Sequence, residues 1–577
     1  MALEPLVAVV LGALTEGAKR RDGPVAPGRP EAVAASVAAA LAGAGARTGD
    51  PGALARLTEL LAHGSADPAD PACAAHLHCP PLAVAVAADL AVSALNPSQD
   101  SWDQAPAATS LETLLLQEMA RLVGYDDTRA AGVLTSGGTE SNLMGLMLAR
   151  DHILGAATGR QIELTGVPPT VAPGTPPGEV PQPAPGSLPA PRADSRPGAP
   201  RAGRAGRPRI LASASAHFSV QRAAALLGLG EDAVLPVPVD HDLRMVPEAL
   251  AAALDGCAAR GETPVAVVAT AGTTDTGAID PLRACAELAA AHGAWLHVDA
   301  AYGGGALLSD RLAPLLDGLA LADSVSLDWH KLGWQPAAAG VFLVREAETY
   351  ASLARRAVYL NPADDEEAGY PSLLGLSLRT TRRADAFKIA VTLRTLGRDG
   401  LGRLVDACRD LAVAGARGVR AHPRLELHSE PVLTAFLFRY VPDGEAPGGT
   451  DDRSDAGNDT NTDNGNDNAN TAATAATAAA RSDLINAALR RRLLREGRAV
   501  VGRTELPGTG PGRVRLKLTL LNPHATPDDV DRLLTAVVTA GQAEEADQAD
   551  RADQPDRNTD SPDRTTTHLT PLVEDQR

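Results

Sequence analysis

Short apolar runs alternate with longer helical or turn segments through the middle of the chain. Five of these runs are strand candidates, at residues 210–214, 265–270, 295–299, 324–327 and 340–344. Short, continuously apolar runs are typical of strands that are buried on both faces. Because longer segments separate them, crossover connections are expected, and the pattern predicts an α/β fold with a mostly parallel sheet.

One connecting helix can be placed from its ends as well as from its apolar face. Asp280 can cap this helix, Pro281 suits its first turn, and Gly293 can end it. Apolar residues recur between 282 and 289 at helical spacing. The chain is then expected to enter the strand at 295–299.

Three segments have too little apolar content for a packed structure, and we predict that they are disordered. They are a Pro/Gly/Arg-rich insert at 167–208, an Asn/Asp/Thr/Ala-rich insert at 444–480 and an acidic tail at 541–577. The remaining sequence divides into a helical N-terminal segment (1–105), a large α/β domain (106–400) and a small C-terminal α+β domain (401–540).

The composition allows a large core and excludes several kinds of partner. The chain has 577 residues, of which 44% are hydrophobic, and a formal net charge of −18. Acidic residues are concentrated at 443–470 and 541–577, where they are expected to keep flexible segments solvated. The sequence has neither a concentrated basic face nor an apolar run of membrane-spanning length. We therefore expect no nucleic-acid partner and no membrane partner.

The cysteines indicate neither a metal site nor a disulfide framework. They are odd in number, widely spaced and without a C-x-x-C pair, at positions 73, 79, 257, 285 and 408. We expect no bound metal and a reducing, cytoplasmic location.

Lysine is scarce in this chain, which simplifies the search for an amine nucleophile. The lysines are Lys19, Lys331, Lys388 and Lys517. Lys331 ends the run SVSLDWHK at 324–331, where an amine at the mouth of a buried strand could bond an aldehyde. Lys388 falls in a predicted helix, and Lys517 alternates with Arg515 on a strand expected to face solvent. A strand-end lysine is usually just solvated, so the neighbouring motifs must decide.

A candidate phosphate site lies in the run TSGGTESN at 135–142. It follows a predicted strand end and leads into the apolar helix at 143–150, so small residues leave backbone N–H groups free at a helix N-terminus. The run lacks the spacing of a P-loop or a dinucleotide fingerprint. An ordinary Gly-Gly turn before a helix is therefore the alternative.

A second motif, HVDAAYG at 297–303, places Asp299 at the end of a buried strand. The small residues after it would let a flat ring approach, and the ionised carboxylate could hold a protonated ring nitrogen. The alternative is an aspartate that caps a helix or a turn. The order of motifs favours the first interpretation: the turn at 135–142, His217, the threonines at 273–274, Asp299, and then His330 with Lys331.

These ordered motifs resemble those of pyridoxal-phosphate-dependent group II amino-acid decarboxylases. The resemblance covers most of 70–530 and rests on HLHCPP at 76–81, SWDQAP at 101–106, the turn at 135–142, AGTT at 271–274, HVDAAY at 297–302 and DWHK at 328–331. It implies a fold-type I, transferase-like architecture with a mostly parallel seven-stranded central sheet. It also implies a homodimer with pyridoxal 5'-phosphate at the carboxyl ends of the strands.

The resemblance implies roles for individual residues. Lys331 would bond the cofactor aldehyde, Asp299 would pair with the pyridine nitrogen, and His217 would stack on the ring. Tyr359 would return a proton to the substrate Cα, with Tyr370 as a competing candidate. Gly138 and Thr139 would contact the phosphate, and the pocket would be completed by Thr274, Ala301, Asp328 and His330.

The motifs at 76–81 and 101–106 most resemble the bacterial branch that converts L-2,4-diaminobutyrate to 1,3-diaminopropane. Asp103 could pair with the distal ammonium, and His76 or His78 could line the substrate side, across a dimer interface in one arrangement. Alternatively, Trp102 and Asp103 only order a loop. Ornithine and lysine remain alternative substrates, because one or two methylenes change the pocket energy by only about 1–3 kcal/mol. Aromatic amino acids are a further alternative, although the family members that act on them look different in these two segments.

One departure from the family pattern and one alternative function remain to be noted. Trp329 occupies a position where many members of the family carry proline, although Lys331 is unaffected by this difference. A noncatalytic protein that uses the same fold for binding or regulation is the alternative from a different functional class.

Overall fold

The computed structural model of the chain describes residues 2–42, 49–168, 206–354, 357, 359–443 and 465–552. Most of the sequence predicted to be disordered lies outside the described residues, at 169–205, 444–464 and 553–577.

A seven-stranded sheet forms the centre of the large domain. Its strands are β1 (Ala131–Thr135), β2 (Pro208–Ser213), β3 (Val234–Val237), β4 (Thr263–Thr270), β5 (Trp295–Asp299), β6 (Ser324–Asp328) and β7 (Gly340–Val344). Their order is β1-β7-β6-β5-β4-β2-β3. Strands β2 to β6 pair in parallel, whereas β7 runs antiparallel to both β1 and β6. The predicted mostly parallel, seven-stranded sheet is confirmed.

Helices precede, connect and follow these strands. They are α1 (Leu3–Arg21), α2 (Pro30–Ala40), α3 (Ala53–Gly64), α4 (Ala83–Leu95), α5 (Pro106–Val123), α6 (Gly138–Thr158), α7 (Ile162–Thr165), α8 (Ser219–Leu226), α9 (Pro247–Ala259), α10 (Leu282–Ala291), α11 (Ala363–Glu367), α12 (Ala386–Ala421), α13 (Gly465–Arg495) and α14 (Pro527–Ala552). Helix α12 kinks at Gly397 and crosses the boundary predicted at residue 400. In the part of the chain that the structure describes, we find no helix with the length and apolar character needed to span a membrane.

Both faces of the central sheet are covered, which explains the continuously apolar strands. Leu296 and Val298 of β5 pack in one core cluster with residues of α9, α10 and α12. Trp295, on the opposite face of the same strand, packs in another cluster with residues of α6 and α8. Side chains alternate between the two faces of a strand, so a strand covered twice must be apolar throughout.

The small domain contains a second sheet, and here one expectation was wrong. Its strands are β8 (Leu425–Leu427), β9 (Ala435–Tyr440), β10 (Gly502–Glu505) and β11 (Val514–Thr519), in the antiparallel order β10-β11-β9-β8. We expected Arg515 and Lys517 to face solvent, but both are buried. Leu516 and Leu518 face the core that α13 and α14 cover, whereas Lys517 points to the large domain and meets Asp275.

The structure also corrects two predicted disorder boundaries. Helix α13 begins at Gly465, inside the insert predicted to extend to 480, and α14 continues to Ala552, inside the predicted tail. Alanine, which is abundant at 472–480, is the strongest helix former. In α14, Glu544 accepts a hydrogen bond from Arg492 at 2.6 Å, and Glu545 pairs with Arg424. Part of the acidic charge is therefore ion-paired instead of only solvating the chain.

Asp280 does not cap the helix that its position predicted. Helix α10 begins at Leu282, and no side chain caps it. The buried Asp280 carboxylate instead accepts hydrogen bonds from the backbone N–H groups of Met245 and Thr270, both at 2.7 Å. Asp280 thus ties the end of β4 to the segment before α9.

Candidate active site

A cleft of about 360 Å³ opens at the carboxyl edge of the central sheet. Strands β1, β4, β5 and β6 all end there, and the loop after β2 reaches it. The cleft brings together every residue predicted for catalysis or cofactor binding except Tyr359, namely Gly138, Thr139, His217, Thr274, Asp299, Ala301, Asp328, His330 and Lys331. This convergence follows from the topology, because strands that run in the same direction end at the same edge.

Lys331 presents its amine to the cleft beside a buried carboxylate. Its Nζ lies 3.0 Å from Oδ2 of Asp328, the last residue of β6, and its side chain is 19% exposed. The other three lysines are also described, and none of them lines this cleft. Lys388 and Lys517 are instead buried against carboxylates. The chain therefore offers one amine to an aldehyde bound here.

The turn between β1 and α6 is built to receive an anion. The Glu140 carboxylate accepts the Ser136 N–H at 2.7 Å and the Arg379 Nε–H at 2.9 Å, and so closes the turn. Gly138 and Thr139 open the 21-residue helix α6, where N–H groups have no intrahelical acceptor. A Cβ on Gly138 would lie 2.9 Å from that of Ala301, so glycine keeps this end of the cleft open.

Asp299 is held by three donors at the end of β5. Its Oδ2 accepts a hydrogen bond from Asn142 Nδ2 at 2.7 Å. Its Oδ1 accepts from the Ala301 N–H at 3.1 Å and lies 3.2 Å from Ser326 Oγ, whose one hydrogen is shared with Asn142 Oδ1 at 3.0 Å. The side chain is almost completely buried, so these bonds fix its direction. A carboxylate so placed can pair with a protonated ring nitrogen.

His217 lies in the loop before α8 and is half-buried. Its Nδ1 is 2.9 Å from Ser219 Oγ. Burial lowers the pKa of His217, and the Lys331 amine acts in the same direction, while Asp299 and Asp328 oppose it. Burial also lowers the pKa of His330. Both rings are therefore expected to be neutral at neutral pH.

The polar groups of the cleft fit pyridoxal phosphate. Among the residues that line the cleft, three buried side-chain atoms have no hydrogen-bond partner in the described part of the chain: Asp328 Oδ1, His330 Nδ1 and Thr270 Oγ1. An unpaired buried polar group costs about 1–3 kcal/mol, so a polar ligand that reaches them would be favoured. An anion-binding turn, the small residues Gly138 and Ala301, a fixed carboxylate and one amine match a phosphorylated pyridine aldehyde. Within the described ranges, no cluster of histidine, cysteine or acidic residues could hold a metal ion.

Four predicted site residues lie outside this cleft. His76 and His78 are exposed. The His76 ring is nevertheless partly removed from solvent, which lowers its pKa, and the nearby Lys517 ammonium contributes. Lys517 Nζ itself lies 3.4 Å from the carbonyl oxygen of Thr274, a residue that lines the cleft.

Asp103 and Tyr359 are also away from the cleft. The exposed Asp103 carboxylate accepts a hydrogen bond from Ser101, and the Trp102 ring packs edge-on against Tyr370 at 5.1 Å. These contacts favour the loop-ordering alternative for Trp102 and Asp103. Tyr359 is 85% exposed.

Sequence reasoning missed the polar residues behind the cleft. Asn142 stands in the turn at 135–142, but the sequence motifs assign it no role. Its position four residues after Gly138 places both on one face of α6, which was the available signal. Ser219 and Ser326 lacked such a signal, because single serines near strand ends are common.

The conserved domain of pyridoxal-dependent decarboxylases matches this chain at residues 54–165 and 194–441. The chain belongs to the pyridoxal-dependent decarboxylase family. It is 40% identical over 467 residues to an L-2,4-diaminobutyrate decarboxylase of Rhizobium meliloti, with 81% of this chain and 77% of that protein covered. It is 35% identical over 496 residues to the Acinetobacter baumannii enzyme of the same name, with 85% and 83% covered.

Solved structures agree with this family assignment. The decarboxylase is 29% identical to the glutamate decarboxylase domain of diaminobutyrate-pyruvate transaminase and L-2,4-diaminobutyrate decarboxylase from Vibrio parahaemolyticus. That comparison has a TM-score of 0.71 and covers 94% of this chain and 96% of the other. Mouse CSAD, at 24% identity and a TM-score of 0.72, supports the fold, with 94% and 99% covered. The predicted fold type, cofactor and amino-acid decarboxylation are confirmed.

Proposed function

We propose that this decarboxylase converts L-2,4-diaminobutyrate to 1,3-diaminopropane and carbon dioxide. The observation that carries this proposal is the identity of 35–40% to two L-2,4-diaminobutyrate decarboxylases, each over more than four-fifths of this chain. The converging groups in the cleft supply an amine for the cofactor aldehyde, a carboxylate for its ring nitrogen and a turn for its phosphate, which argues against a purely regulatory protein.

Nine residues of the cleft have proposed tasks. Lys331 bonds the aldehyde of the cofactor, Asp299 keeps the pyridine nitrogen protonated, and His217 stacks on the ring. Gly138 and Thr139 bind the phosphate, and the pocket is completed by Thr274, Ala301, Asp328 and His330. Pyridoxal phosphate, when bound, accepts the electron pair that departing carbon dioxide leaves at Cα. The chain's part is to orient the substrate, hold the ring nitrogen's proton and return a proton to Cα.

Tyr359 is our candidate for the group that returns the proton, through its phenol oxygen. Its side chain is 85% exposed, so it must approach a cleft by motion of its segment or from a second copy. Three residues outside the cleft are candidate substrate contacts and could also meet a second copy. They are Asp103, His76 and His78.

A homodimer is the assembly we propose. Helix α2 has no buried residue, although its sequence is largely alanine and valine. Leu11 of α1 and Leu61 of α3 are 59% and 67% exposed. A second copy would cover apolar surface of this kind, and sedimentation of the enzyme tests it: a mass near that of one 59.2 kDa chain would refute the dimer.

We also propose a cytoplasmic location. All five cysteines lie in the described residues and are free thiols, as a reducing compartment maintains.

In the deciding experiment, the purified enzyme is incubated with pyridoxal phosphate and one amino acid at a time. The amino acids are L-2,4-diaminobutyrate, ornithine, lysine, glutamate, tyrosine and dopa. Mass spectrometry identifies the amine from each. We expect 1,3-diaminopropane to dominate and Lys331→Ala to abolish it. Lys19→Ala, at an exposed lysine paired with Glu16, is the control and should retain activity. A different dominant amine would overturn the substrate, and unchanged turnover by Lys331→Ala would overturn the lysine's role.

A further inference from the structure

We propose that Asn142 is a positioning residue that joins Asp299 to His217 and sets the tautomer of that histidine. Its amide holds the Asp299 carboxylate and, through the Ser219 hydroxyl, places the hydrogen of the neutral His217 ring on Nε2. The inference rests on the proposed roles of Asp299 and His217, whatever the substrate is.

The orientation of the Asn142 amide follows from its partners. Its Nδ2 lies 2.7 Å from Asp299 Oδ2 and 2.9 Å from Ser219 Oγ, and its Oδ1 lies 3.0 Å from Ser326 Oγ. A carboxylate only accepts hydrogen bonds, so the NH₂ group must face Asp299. That group has two hydrogens, and the second is available to Ser219.

A buried histidine on the other side of Asn142 is consistent with this orientation. His297 Nε2 lies 2.9 Å from Asn142 Oδ1, so this nitrogen donates. Its Nδ1 lies 2.8 Å from Ser324 Oγ, which itself accepts the Trp295 Nε1–H at 2.8 Å and can donate onward. Burial lowers the pKa of His297 to about 4, so the ring is neutral and carries one hydrogen, as these partners require.

The Ser219 hydroxyl connects the Asn142 amide to the His217 ring. Because Ser219 Oγ accepts from Asn142, its hydrogen is free to point at His217 Nδ1, 2.9 Å away. The Ser219 backbone N–H also points at Nδ1, at 3.4 Å. A ring nitrogen that accepts from these two donors carries no hydrogen of its own. The neutral ring must therefore carry its hydrogen on Nε2.

This arrangement determines what His217 offers the cleft. A fixed Nε2–H leaves a neutral ring that can stack and a donor at its far edge. The donors at Nδ1 stabilise the neutral form and so oppose protonation. The charged groups around the ring are Asp299, Asp328, Lys331 and Arg222. The donors at Nδ1 must keep the ring in one tautomer in the electric field of these four groups.

The test compares Ser219→Ala and Asn142→Ala with Ser215→Ala, a serine in the same loop. Selective ¹⁵N-histidine labelling with long-range ¹H–¹⁵N NMR reads tautomer and pKa in the cofactor-free enzyme, and His217→Gln assigns the signal. We expect Nε2–H in the unmodified enzyme and in Ser215→Ala. Ser219→Ala removes the hydroxyl donor at Nδ1, and Asn142→Ala removes the contact that orients this hydroxyl, so both should weaken the preference for Nε2–H and raise the pKa of His217.

Cofactor binding supplies the second readout. Asn142→Ala should weaken pyridoxal phosphate binding about tenfold, because it also removes a hydrogen bond to a buried carboxylate. Ser219→Ala should change binding less, because the hydrogen bond from Asn142 to Asp299 remains in that variant. Should Asn142→Ala fail to fold, Ser219→Ala still decides the relay.

Two results would overturn the proposal: a hydrogen on Nδ1 in the unmodified enzyme, or a His217 signal in Ser219→Ala that matches that of Ser215→Ala. Neither depends on substrate, so failure to decarboxylate diaminobutyrate would refute the proposed function alone.

Discussion

His297 and Asp280 are buried titratable side chains whose effects on pH stability oppose each other. Burial lowers the pKa of His297 from 6.5 to about 4, so between these values the unfolded state binds a proton that the folded state does not. The free energy of unfolding therefore falls as the pH falls through this window. Burial raises the pKa of Asp280 from 3.8 to about 6, so the folded state binds the extra proton and the sign is reversed.

Because the two contributions oppose each other, a variant is needed to see one of them. His297→Gln should lower the free energy of unfolding most at pH 7. The difference from the unmodified protein should shrink by about 1.4 kcal/mol per pH unit between pH 6.5 and 4. Urea unfolding of the cofactor-free protein at three pH values measures it. The exposed His524→Gln is the control. A difference that stays constant with pH would contradict the assignment of His297 as neutral.

At the scale of single residues, the sequence predicts the site residues that follow strands. It misses the polar residues that hold those site residues in place from behind the cleft. Asp299 and Lys331 could be placed because the apolar runs before them define where strands end. The task of Asn142 depends on side chains from α6, β5, β6 and the loop before α8, which meet only in the folded chain. No local pattern carries that information. Tyr359 was placed by resemblance, and its role stays a prediction.

Helix α6 illustrates how packing reverses a helix propensity. Replacing a helical glycine with alanine normally stabilises a protein by about 0.5–1 kcal/mol. A Cβ on Gly145, however, would lie 2.5 Å from His297 Nδ1, inside a packed core. The ring is buried and bonded at both nitrogens, so it cannot move away freely.

We therefore expect Gly145→Ala to destabilise the protein by about 1–3 kcal/mol, as overpacking does. The matched control is Gly12→Ala in α1, where no described residue apart from the helix's own backbone comes within 4 Å of the added Cβ, and a gain of up to about 1 kcal/mol is expected. Urea unfolding of both variants gives the comparison. Equal stabilisation by the two substitutions would show that the core at Gly145 has room.

Element boundaries were predicted well where one physical effect dominates. The strands at Trp295–Asp299 and Gly340–Val344 match their predictions because both faces of each are buried. Helices α13 and α14 extend into predicted disorder because composition does not reveal partners. Arg424 and Arg492, far from the tail in sequence, neutralise acids of α14. Long-range ion pairing of this kind is invisible to a local reading of charge.

At the scale of the whole molecule, the small domain contacts the loop that lines the cofactor cleft. Lys517 of β11 donates to Asp275 at 3.0 Å, and Thr504 of β10 donates to the same carboxylate at 2.6 Å. Asp275 directly follows Thr274, a residue of the cleft. The second sheet thus supports the active site although none of its strands contributes to the cleft lining.

Loss of this support should weaken cofactor binding without removing a cofactor contact. Asp275 is partly exposed, so the Lys517–Asp275 pair is expected to contribute only about 0.5–1 kcal/mol. Lys517→Met, Asp275→Asn and the double variant form a cycle in which pyridoxal phosphate affinity is measured by its visible absorption. We expect a coupling of that size, or about two- to fivefold in Kd, with Lys19→Met unchanged. Additive effects of the two substitutions would show that the domains act independently at this contact.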